Sequence, residues 1–380
     1  MDFDLPADDD PRRLKVRQWL ADNPSPDGKT LAAAGYVVPH WPEPWGLNAD
    51  PIEQIIIDDE FRKAHVNRPM NPIGIGWAGP TIVYAGSDEQ QQKYLPRLLS
   101  GEDVWCQLFS EPGAGSDLAA LSTRAVLDGD EFIVNGQKIW TSLGHVAKYG
   151  ILIARTEPDQ PKHQGVSYFV CPMDLPGIEV RPIIEMTGAH MFNEVFFTDV
   201  RIPKENLVGP LHGGWALAKV TLGNERVSLS GEGALWGRGP TADDLVQYAR
   251  ELKVTDPLLR QRIASVYTEA EILRLIRLRT VSAVIKGRAP GPEASIRKAL
   301  ADEHGQHIMG VAKDLHGAHG MLAAQDMWEY GFLFAPALTI GGGTSEVQRN
   351  IIGERVLGLP HDIDVEVGKT WSESRKSALT

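Results

Sequence analysis

The sequence is poor in cysteine, in excess positive charge and in long apolar runs, and each shortage excludes a class of protein. Its two cysteines, Cys106 and Cys171, are too few for a disulfide framework, so we expect reduced thiols and a cytoplasmic protein. The formal net charge of −12 disfavours binding to nucleic acid or to an anionic membrane. No apolar stretch is long enough to span a bilayer, so we expect no membrane insertion.

Several catalytic motifs are also missing. There is no GxSxG elbow for a serine nucleophile and no HExxH motif for zinc. His316 and His319 flank glycines in a predicted turn, so we expect no metal site. The glycine-rich stretches GAGSD and LHGAHG do not stand between a strand and a helix of a βαβ unit, which argues against a nicotinamide-binding Rossmann domain.

Hydrophobic periodicity divides the 380 residues into three parts and a tail. Residues 1–104 alternate short amphipathic helices with Pro- and Gly-rich connections, which predicts an N-terminal helical domain. Residues 105–210 carry short β-branched and aromatic runs, which predict an antiparallel β-barrel with a hairpin turn at Asn135-Gly136. Residues 211–360 return to the helical period and predict a four-helix bundle, whereas the polar residues 361–380 are expected to fray. The predicted fold class is therefore multidomain α+β.

Two stretches of the middle part combine glycines, hydroxyls and aromatic residues. The first is WCQLFSEPGAGSD, from Trp105 to Asp117, and the second is NGQKIWTS, from Asn135 to Ser142. The first breaks from an apolar run into a glycine turn that ends in a Ser-Asp pair. Such a turn can hold a flat polar ligand or a phosphate on its backbone N–H groups.

These stretches, together with GGTSEVQR near the C-terminus, resemble the acyl-CoA dehydrogenase family. The resemblance runs over nearly the whole chain and includes the order of helical domain, β domain and bundle. It implies an FAD enzyme that desaturates acyl-CoA thioesters between the α and β carbons, with the flavin between the β domain and the bundle.

The resemblance also implies roles for individual residues. Those matching the cofactor-binding positions are Gln107, Ser110, Gly115, Ser116, Trp140, Thr141, Ser142, Thr344 and Glu346. In this assignment Trp140 lies against the isoalloxazine, Ser142 contacts flavin N5, and Gly115 and Ser116 match the loop at the pyrophosphate and the neighbouring CoA. Thr344 and Glu346 match the dinucleotide half. An aromatic contact and donors near the ring suit a reduced, electron-rich flavin.

The catalytic base is the first departure from the family pattern. Many members carry a glutamate directly before the Gly-Thr pair of the last motif, but this chain has Gly342 there. A minority place the glutamate on the first bundle helix before an arginine, and Glu225-Arg226 matches that arrangement. We therefore predict that Glu225 is the base. Arg226 and Asn224 are the predicted substrate-side residues, with Ser116 and the Gly342 N–H.

The second departure concerns the subunit interface. Members usually carry an Arg-x-x-Phe-Gly motif that reaches the FAD of a neighbouring subunit. An ungapped placement puts Leu252 at the arginine and Thr255-Asp256 at Phe-Gly. The chain therefore resembles one half of a divided flavin site, as in two-protein actinobacterial relatives acting on steroid side-chain CoA esters.

The resulting prediction is an acyl-CoA dehydrogenase of lipid metabolism, either fatty acid β-oxidation or steroid side-chain degradation, that passes electrons to an electron-transfer flavoprotein. A tetramer is expected, either homomeric or with a second acyl-CoA dehydrogenase-like chain as partner. Two alternatives stay open: a flavin monooxygenase or oxidase on the same fold, and a non-catalytic subunit of a heteromeric dehydrogenase. The sequence does not specify the acyl group.

Overall fold

The computed structural model describes residues 6–229, 233–285, 291–322 and 326–377, and the side chains of residues 226–228, 281, 284, 285, 376 and 377 are outside that description. The chain divides into two compact units, which are considered separately below. One comprises 186–189 and 223–363, and the other comprises 2–185, 190–222 and 364–380.

The N-terminal part is helical, as predicted. Its helices are α1 Pro11–Asp22, α2 Gly28–Ala33, α3 Pro51–Lys63, α4 Gly79–Ala85 and α5 Asp88–Leu99. A π-helical turn, Gly74–Ala78, precedes α4. The helices begin where the sequence supplies caps: Ser87 and Gln90 form a capping box at α5, and Asp50 accepts two backbone N–H groups at α3.

Polar side chains tie these helices to the β domain that follows in the same unit. Gln90 donates from Nε2 to the carbonyl oxygens of Glu205 and Leu207, at 2.7 and 2.8 Å. Buried Asn71 donates to Leu98 O and Asp103 O and accepts from the N–H of Trp105. The start of the first strand is therefore fixed against the helical part.

The middle part is one sheet. Its strands are β1 Trp105–Leu108, β2 Arg124–Asp128, β3 Glu131–Lys138, β4 Tyr149–Arg155, β5 Val166–Pro172, β6 Ile178–Pro182, β7 Asn193–Pro203 and β8 Leu207–Val208. The spatial order is β6-β7-β3-β2-β4-β5-β8, with β1 beside β4. Most pairs are antiparallel, but β1 and β2 each run parallel to β4. The inward faces supply an apolar core that includes Phe132, Val134, Leu152, Phe169, Val195, Phe197 and Ile202.

The predicted hairpin turn at Asn135-Gly136 is wrong. The β2–β3 hairpin turns earlier, where Asp128 pairs with Glu131, and β3 continues through Asn135-Gly136 with a shift in register. The Asn135 side chain exchanges hydrogen bonds with Asp199 on β7. Gly136 has φ +153°, and a Cβ there would stand 2.5 Å from Thr123 Oγ1. The Asn-Gly pair therefore forms a bulge that allows close approach of a neighbouring segment.

The C-terminal part returns to helix, which confirms the predicted order. The helices are α6 Gly214–Leu229, α7 Ala242–Glu251, α8 Pro257–Ile285, α9 Ala294–His316, α10 Met327–Phe334 and α11 Ser345–Ile351. Long α8 and α9 pack on each other, and α7, α10 and α11 each contact α9. Helix α9 is therefore the centre of this unit.

The expectation that the chain frays after 361 is wrong for residues 364–377. Helix α12, Trp371–Ser377, lies on the β domain. The Trp371 and Ser372 N–H groups donate to the carbonyl oxygens of Gln160 and Pro158, at 2.9 and 3.0 Å. Composition could not reveal this docking, because its partners lie more than two hundred residues away in sequence.

None of the helices in the described part of the chain is both long and apolar enough to cross a membrane.

Candidate functional site

The two motif stretches of the middle part lie side by side. The N–H of Ile139 donates to the carbonyl oxygen of Ser110 at 2.9 Å, directly after β1 and β3 end. This contact places Ser110 beside the Trp140–Ser142 segment. Gln107 lies in β1 and is half-buried.

A buried ion pair fixes this junction. Lys138 is fully buried, and its Nζ donates to Phe109 O and to Glu111 Oε1, both at 2.9 Å. Glu111 also accepts from the N–H groups of Ser122 and Thr123. Burial opposes ionisation of Glu111, but Lys138 and these hydrogen bonds hold the pKa of its carboxyl below the usual value. The glycine loop that starts at Glu111 is thus attached at its base.

The glycine loop itself faces outward. Glu111 and Ala114 exchange backbone hydrogen bonds across a tight turn, and Gly113, Gly115 and Ser116 are exposed. A Cβ on Gly115 would meet no atom within 4 Å. The loop therefore leaves open space next to exposed backbone, which suits a bulky anionic ligand.

Trp140 is held in an unusual backbone conformation. Its φ is +60°, a conformation that few non-glycine residues adopt, and its side chain is 57% exposed. Phe192 packs edge-on against its ring, with centroids 6.0 Å apart. A large exposed aromatic residue held this way is a functional candidate rather than a core tryptophan.

The residues next to Trp140 include a hydroxyl group that could bind a ligand. The backbone N–H and C=O of Thr141 pair with Asn193, but the buried Oγ1 of Thr141 has no hydrogen-bond partner among the described residues. A buried hydroxyl without a partner is costly and points to a missing polar partner. The neighbouring Ser142 is half-buried. Together with the open glycine loop, this hydroxyl fits a flavin nucleotide.

The second unit carries the predicted base. Glu225 lies in α6 and is buried, with 8% of its surface exposed. Asn224 is half-buried on the same helix. Arg226 follows it in α6, but its side chain lies outside the described part. A buried carboxylate at the position that the family pattern gives to a base is a candidate for the chemistry.

Position 342, where many family members carry the catalytic glutamate, cannot hold a side chain without strain. Gly342 has φ +68°, and a Cβ there would stand 2.7 Å from Leu229 Cδ1 and 3.2 Å from Lys298 Cε. Both the left-handed conformation and the contact disfavour any larger residue. The absence of a glutamate at 342 is therefore built into the packing of this loop.

Lys298, which sequence reasoning missed, holds the glycine loop 341–343. It is fully buried in α9, and its Nζ donates to the carbonyl oxygens of Leu338, Gly341 and Gly343 and to Asp302. The Gly342 carbonyl accepts from Gln348 Nε2 at 3.1 Å. The loop carbonyls are thus bound within the unit. Burial raises the pKa of Asp302 to about 7, against the opposing effect of Lys298.

We expect Gly342→Ala to destabilise the protein by about 1–3 kcal/mol, because a residue with a Cβ must keep φ positive and displace Leu229. Gly310→Ala is the matched control. Gly310 lies inside α9 with no atom within 4 Å of its Cβ position, so alanine should stabilise the helix by up to about 1 kcal/mol. Urea denaturation of the two variants measures the difference. Equal stability of Gly342→Ala and the parent would contradict the tight packing.

Thr344 and Glu346 border an open cavity of about 360 Å³. The Thr344 hydroxyl caps α11 by accepting the Val347 N–H at 3.3 Å, and Glu346 is exposed. Nearby Ser345 has a buried Oγ without a partner among the described residues. The cavity lining comprises Glu303, Gln306, Thr339, Ile340, Thr344, Ser345, Glu346 and Arg349.

The residues at the predicted subunit motif have structural roles of their own. Leu252 is the C-cap residue of α7, with a half-exposed side chain and no charge. Asp256 caps α8, because its Oδ1 accepts the N–H groups of Leu258 and Leu259 at 2.8 and 3.0 Å. Neither residue can supply the guanidinium that the family motif carries.

Sequence reasoning could have found one of the two missed ion pairs. Between Trp105 and Glu111, and between Gly136 and Ser142, the only charged residues are Glu111 and Lys138. Opposite charges in these two otherwise neutral stretches are a usable signal of pairing. Lys298 gives no such signal, since it lies forty-three residues from Gly341.

Comparisons with known proteins agree with this geometry. Models of the acyl-CoA dehydrogenase N-terminal, middle and C-terminal domains match residues 13–102, 106–200 and 212–357. Acyl-CoA dehydrogenase IpdE1 of Mycobacterium tuberculosis is 37% identical over 379 residues, which cover 92% of this chain and 97% of that protein. The chain belongs to the acyl-CoA dehydrogenase family of enzymes. Recognition of the family from its motifs is confirmed.

Two further relatives from this family are informative. Acyl-CoA dehydrogenase FadE34 of Mycobacterium tuberculosis is 41% identical over 330 residues, or 87% of this chain. The chain spans only 45% of the length of FadE34. Among solved structures, the Tcur3481-Tcur3483 steroid ACAD has a TM-score of 0.79 at 31% identity, covering 95% of this chain and 100% of that one.

The ChsE4-ChsE5 complex from Mycobacterium tuberculosis has a TM-score of 0.76 at 30% identity, with 95% and 100% of the two chains covered. These similarities confirm the fold class, with a helical N-terminal part, a middle sheet and a helical C-terminal part.

Proposed function

We propose that the protein catalyses the α,β-dehydrogenation of an acyl-CoA thioester, with FAD as cofactor and Glu225 as the base. The observation that carries this proposal is a buried carboxylate on α6 together with a glycine at 342, where the left-handed backbone and the contact with Leu229 disfavour a side chain. The chemistry needs one carboxylate at the substrate, and Glu225 is the residue that the family pattern leaves for it.

The cofactor residues form two groups. Gln107, Ser110, Gly115, Ser116, Trp140, Thr141 and Ser142 would hold the flavin and its pyrophosphate, and Thr344 and Glu346 would hold the dinucleotide half. The orphaned Thr141 hydroxyl and the exposed Trp140 ring support the first group. FAD, when bound, supplies the acceptor for the hydride that leaves the β carbon.

The protein's own residues account for the remaining steps. Glu225 takes the α-proton onto its carboxylate as the bond to the α carbon breaks. The Gly342 N–H donates to the thioester oxygen, where negative charge develops. Asn224, Arg226 and Ser116 position the CoA ester, which converts proton abstraction into a reaction between pre-aligned groups.

We propose a bulky or steroid-derived acyl group, because the solved relative with 31% identity is named a steroid ACAD. Electrons would pass on to an electron-transfer flavoprotein. The assembly would be a tetramer that includes a second acyl-CoA dehydrogenase-like chain. The names of the two solved relatives that each comprise two proteins support this arrangement.

The proposal is tested with a panel of acyl-CoA thioesters of straight, branched and steroid side-chain type. The protein is purified with any co-expressed partner and incubated with each ester and an artificial electron acceptor. Mass spectrometry should find a product lighter by two hydrogens for at least one ester. Hydroxylated product or peroxide formed with oxygen alone would favour the monooxygenase or oxidase alternative instead.

A further inference from the structure

The segment 364–377 lies beyond residue 357, where the match to the C-terminal family domain ends. It nevertheless docks on the β domain through specific contacts. Besides the backbone bonds of Trp371 and Ser372, the Ser372 hydroxyl bonds to Pro158 O and Asp159, and Glu366 pairs with Lys162 at 2.5 Å. This segment therefore has a defined place on the β domain.

Trp371 organises two guanidinium groups. The Arg155 guanidinium lies 5.1 Å from the Trp371 ring centroid, and that of Arg375 lies 5.7 Å from it. The indole Nε1 donates to Ala120 O at 3.3 Å, which fixes the ring. Arg155 is buried and donates to Lys162 O and Ala119 O. Trp371 thus holds Arg375 in place by stacking.

Arg375 is directed toward the glycine loop. Its Nη2 donates to the Ser122 hydroxyl and lies 3.9 Å from the point where a Cβ on Gly113 would stand. Among the side chains that the structure describes, no carboxylate forms an ion pair with Arg375. Lys162 differs in this respect, because it is neutralised by Asp117 and Glu366 at 2.9 and 2.5 Å.

The surroundings of Arg375 favour an anion. Burial lowers the pKa of Arg155 to about 10; the charge of Glu111 opposes this shift, and that of Arg375 adds to it. Two cations around one indole therefore leave an excess of positive charge at the loop. An arginine has five donors in a planar fork that matches phosphate oxygens, and among the described residues Arg375 makes one hydrogen bond, to Ser122.

We propose that Arg375 binds a phosphate group of the nucleotide ligand held on the loop Gly113–Ser116. This inference rests on the proposed function, which supplies two sources of phosphate: the pyrophosphate of FAD and the phosphates of CoA. The segment 364–377 is then part of the nucleotide site, and Trp371 is the residue that positions Arg375.

The test compares Arg375→Gln with the parent, using the full chain or the complex it forms on co-expression. Binding of FAD to flavin-free protein is followed by fluorescence, and binding of CoA and dephospho-CoA to loaded protein by calorimetry. We expect about tenfold weaker binding of one ligand, corresponding to ~1.4 kcal/mol. Weaker binding of FAD to Arg375→Gln assigns Arg375 to the FAD pyrophosphate. If Arg375→Gln binds CoA more weakly than the parent but binds dephospho-CoA equally well, Arg375 contacts the 3′-phosphate of CoA. If its affinity falls equally for CoA and dephospho-CoA, Arg375 contacts the CoA pyrophosphate.

Arg201→Gln is the matched control, because Arg201 is an exposed β-domain arginine paired with Asp128 and Glu131. Arg201→Gln should leave the affinities for FAD, CoA and dephospho-CoA unchanged. Arg375→Lys should recover part of the loss, since the charge is kept but not the planar fork. If Arg375→Gln binds both FAD and CoA with unchanged affinity, the role of Arg375 is overturned, whereas the proposed function still stands. Failure of the parent to bind either FAD or CoA would overturn the proposed function with it.

Discussion

Replacing Glu225 by Gln is expected to lower turnover of the best acyl-CoA by about 10²–10⁴-fold, the usual contribution of a positioned general base. Glutamine keeps the size and hydrogen-bonding capacity of the side chain but cannot take the α-proton. Because position 342, where many family members carry the base, is a glycine here, we expect no second carboxylate to substitute. The measurement is the rate of enoyl-CoA formation with an artificial electron acceptor.

Two controls separate chemistry from folding in this experiment. Glu251→Gln alters an exposed glutamate of α7 that accepts from Gln247, and it should turn over like the parent. Glu225→Gln should also retain FAD and bind acyl-CoA with little change. Turnover of Glu225→Gln within tenfold of the parent would remove Glu225 from the role of base.

The second large effect concerns the partner chain. Purified alone, the protein is expected to carry substoichiometric FAD and to turn over slowly, because Leu252 and Asp256 supply no guanidinium to a neighbouring flavin. Co-expression with a second acyl-CoA dehydrogenase-like chain from the same genome should restore both properties. The ratio of flavin to protein absorbance, measured together with the molar mass by light scattering, checks this prediction.

A homo-oligomer with one FAD per chain and undiminished turnover would contradict the divided site. Leu252→Ala offers a useful control in the co-expressed complex. If position 252 makes no flavin contact, truncating this half-exposed side chain should leave FAD content unchanged. A marked loss of FAD in Leu252→Ala would instead indicate that α7 contributes through apolar contact.

Periodicity and motif spacing predicted much of this architecture, because they report local and repeated constraints. The helical period predicted before residue 105 and after residue 210 is found as α1–α5 and α6–α11. The prediction for Asn135-Gly136 failed because the same dipeptide suits a turn and a bulge. The contacts with Asp199 and Thr123 favour the bulge, and no local sequence pattern connects these two residues to the dipeptide.

The residues of the candidate site were likewise predicted only in part from the sequence. The family resemblance assigned Ser110 and Trp140 to one cofactor, and the structure brings the two segments that carry them side by side. The motifs did not identify Lys298, whose importance comes only from folding α9 onto the loop 341–343. Nor did they identify Trp371 and Arg375, whose contacts on the β domain belong to a polar tail that composition alone predicts to be frayed.

The central claim is that Glu225 is the carboxylate that takes the α-proton and that position 342 supplies no base. Its most direct test is a single anaerobic mixing of FAD-loaded protein with excess acyl-CoA, followed by the loss of visible flavin absorbance. The parent should bleach within the time of one turnover, whereas Glu225→Gln should bind the ester and stay oxidised for at least about a hundred times longer. Bleaching of Glu225→Gln at the parent rate would contradict the claim.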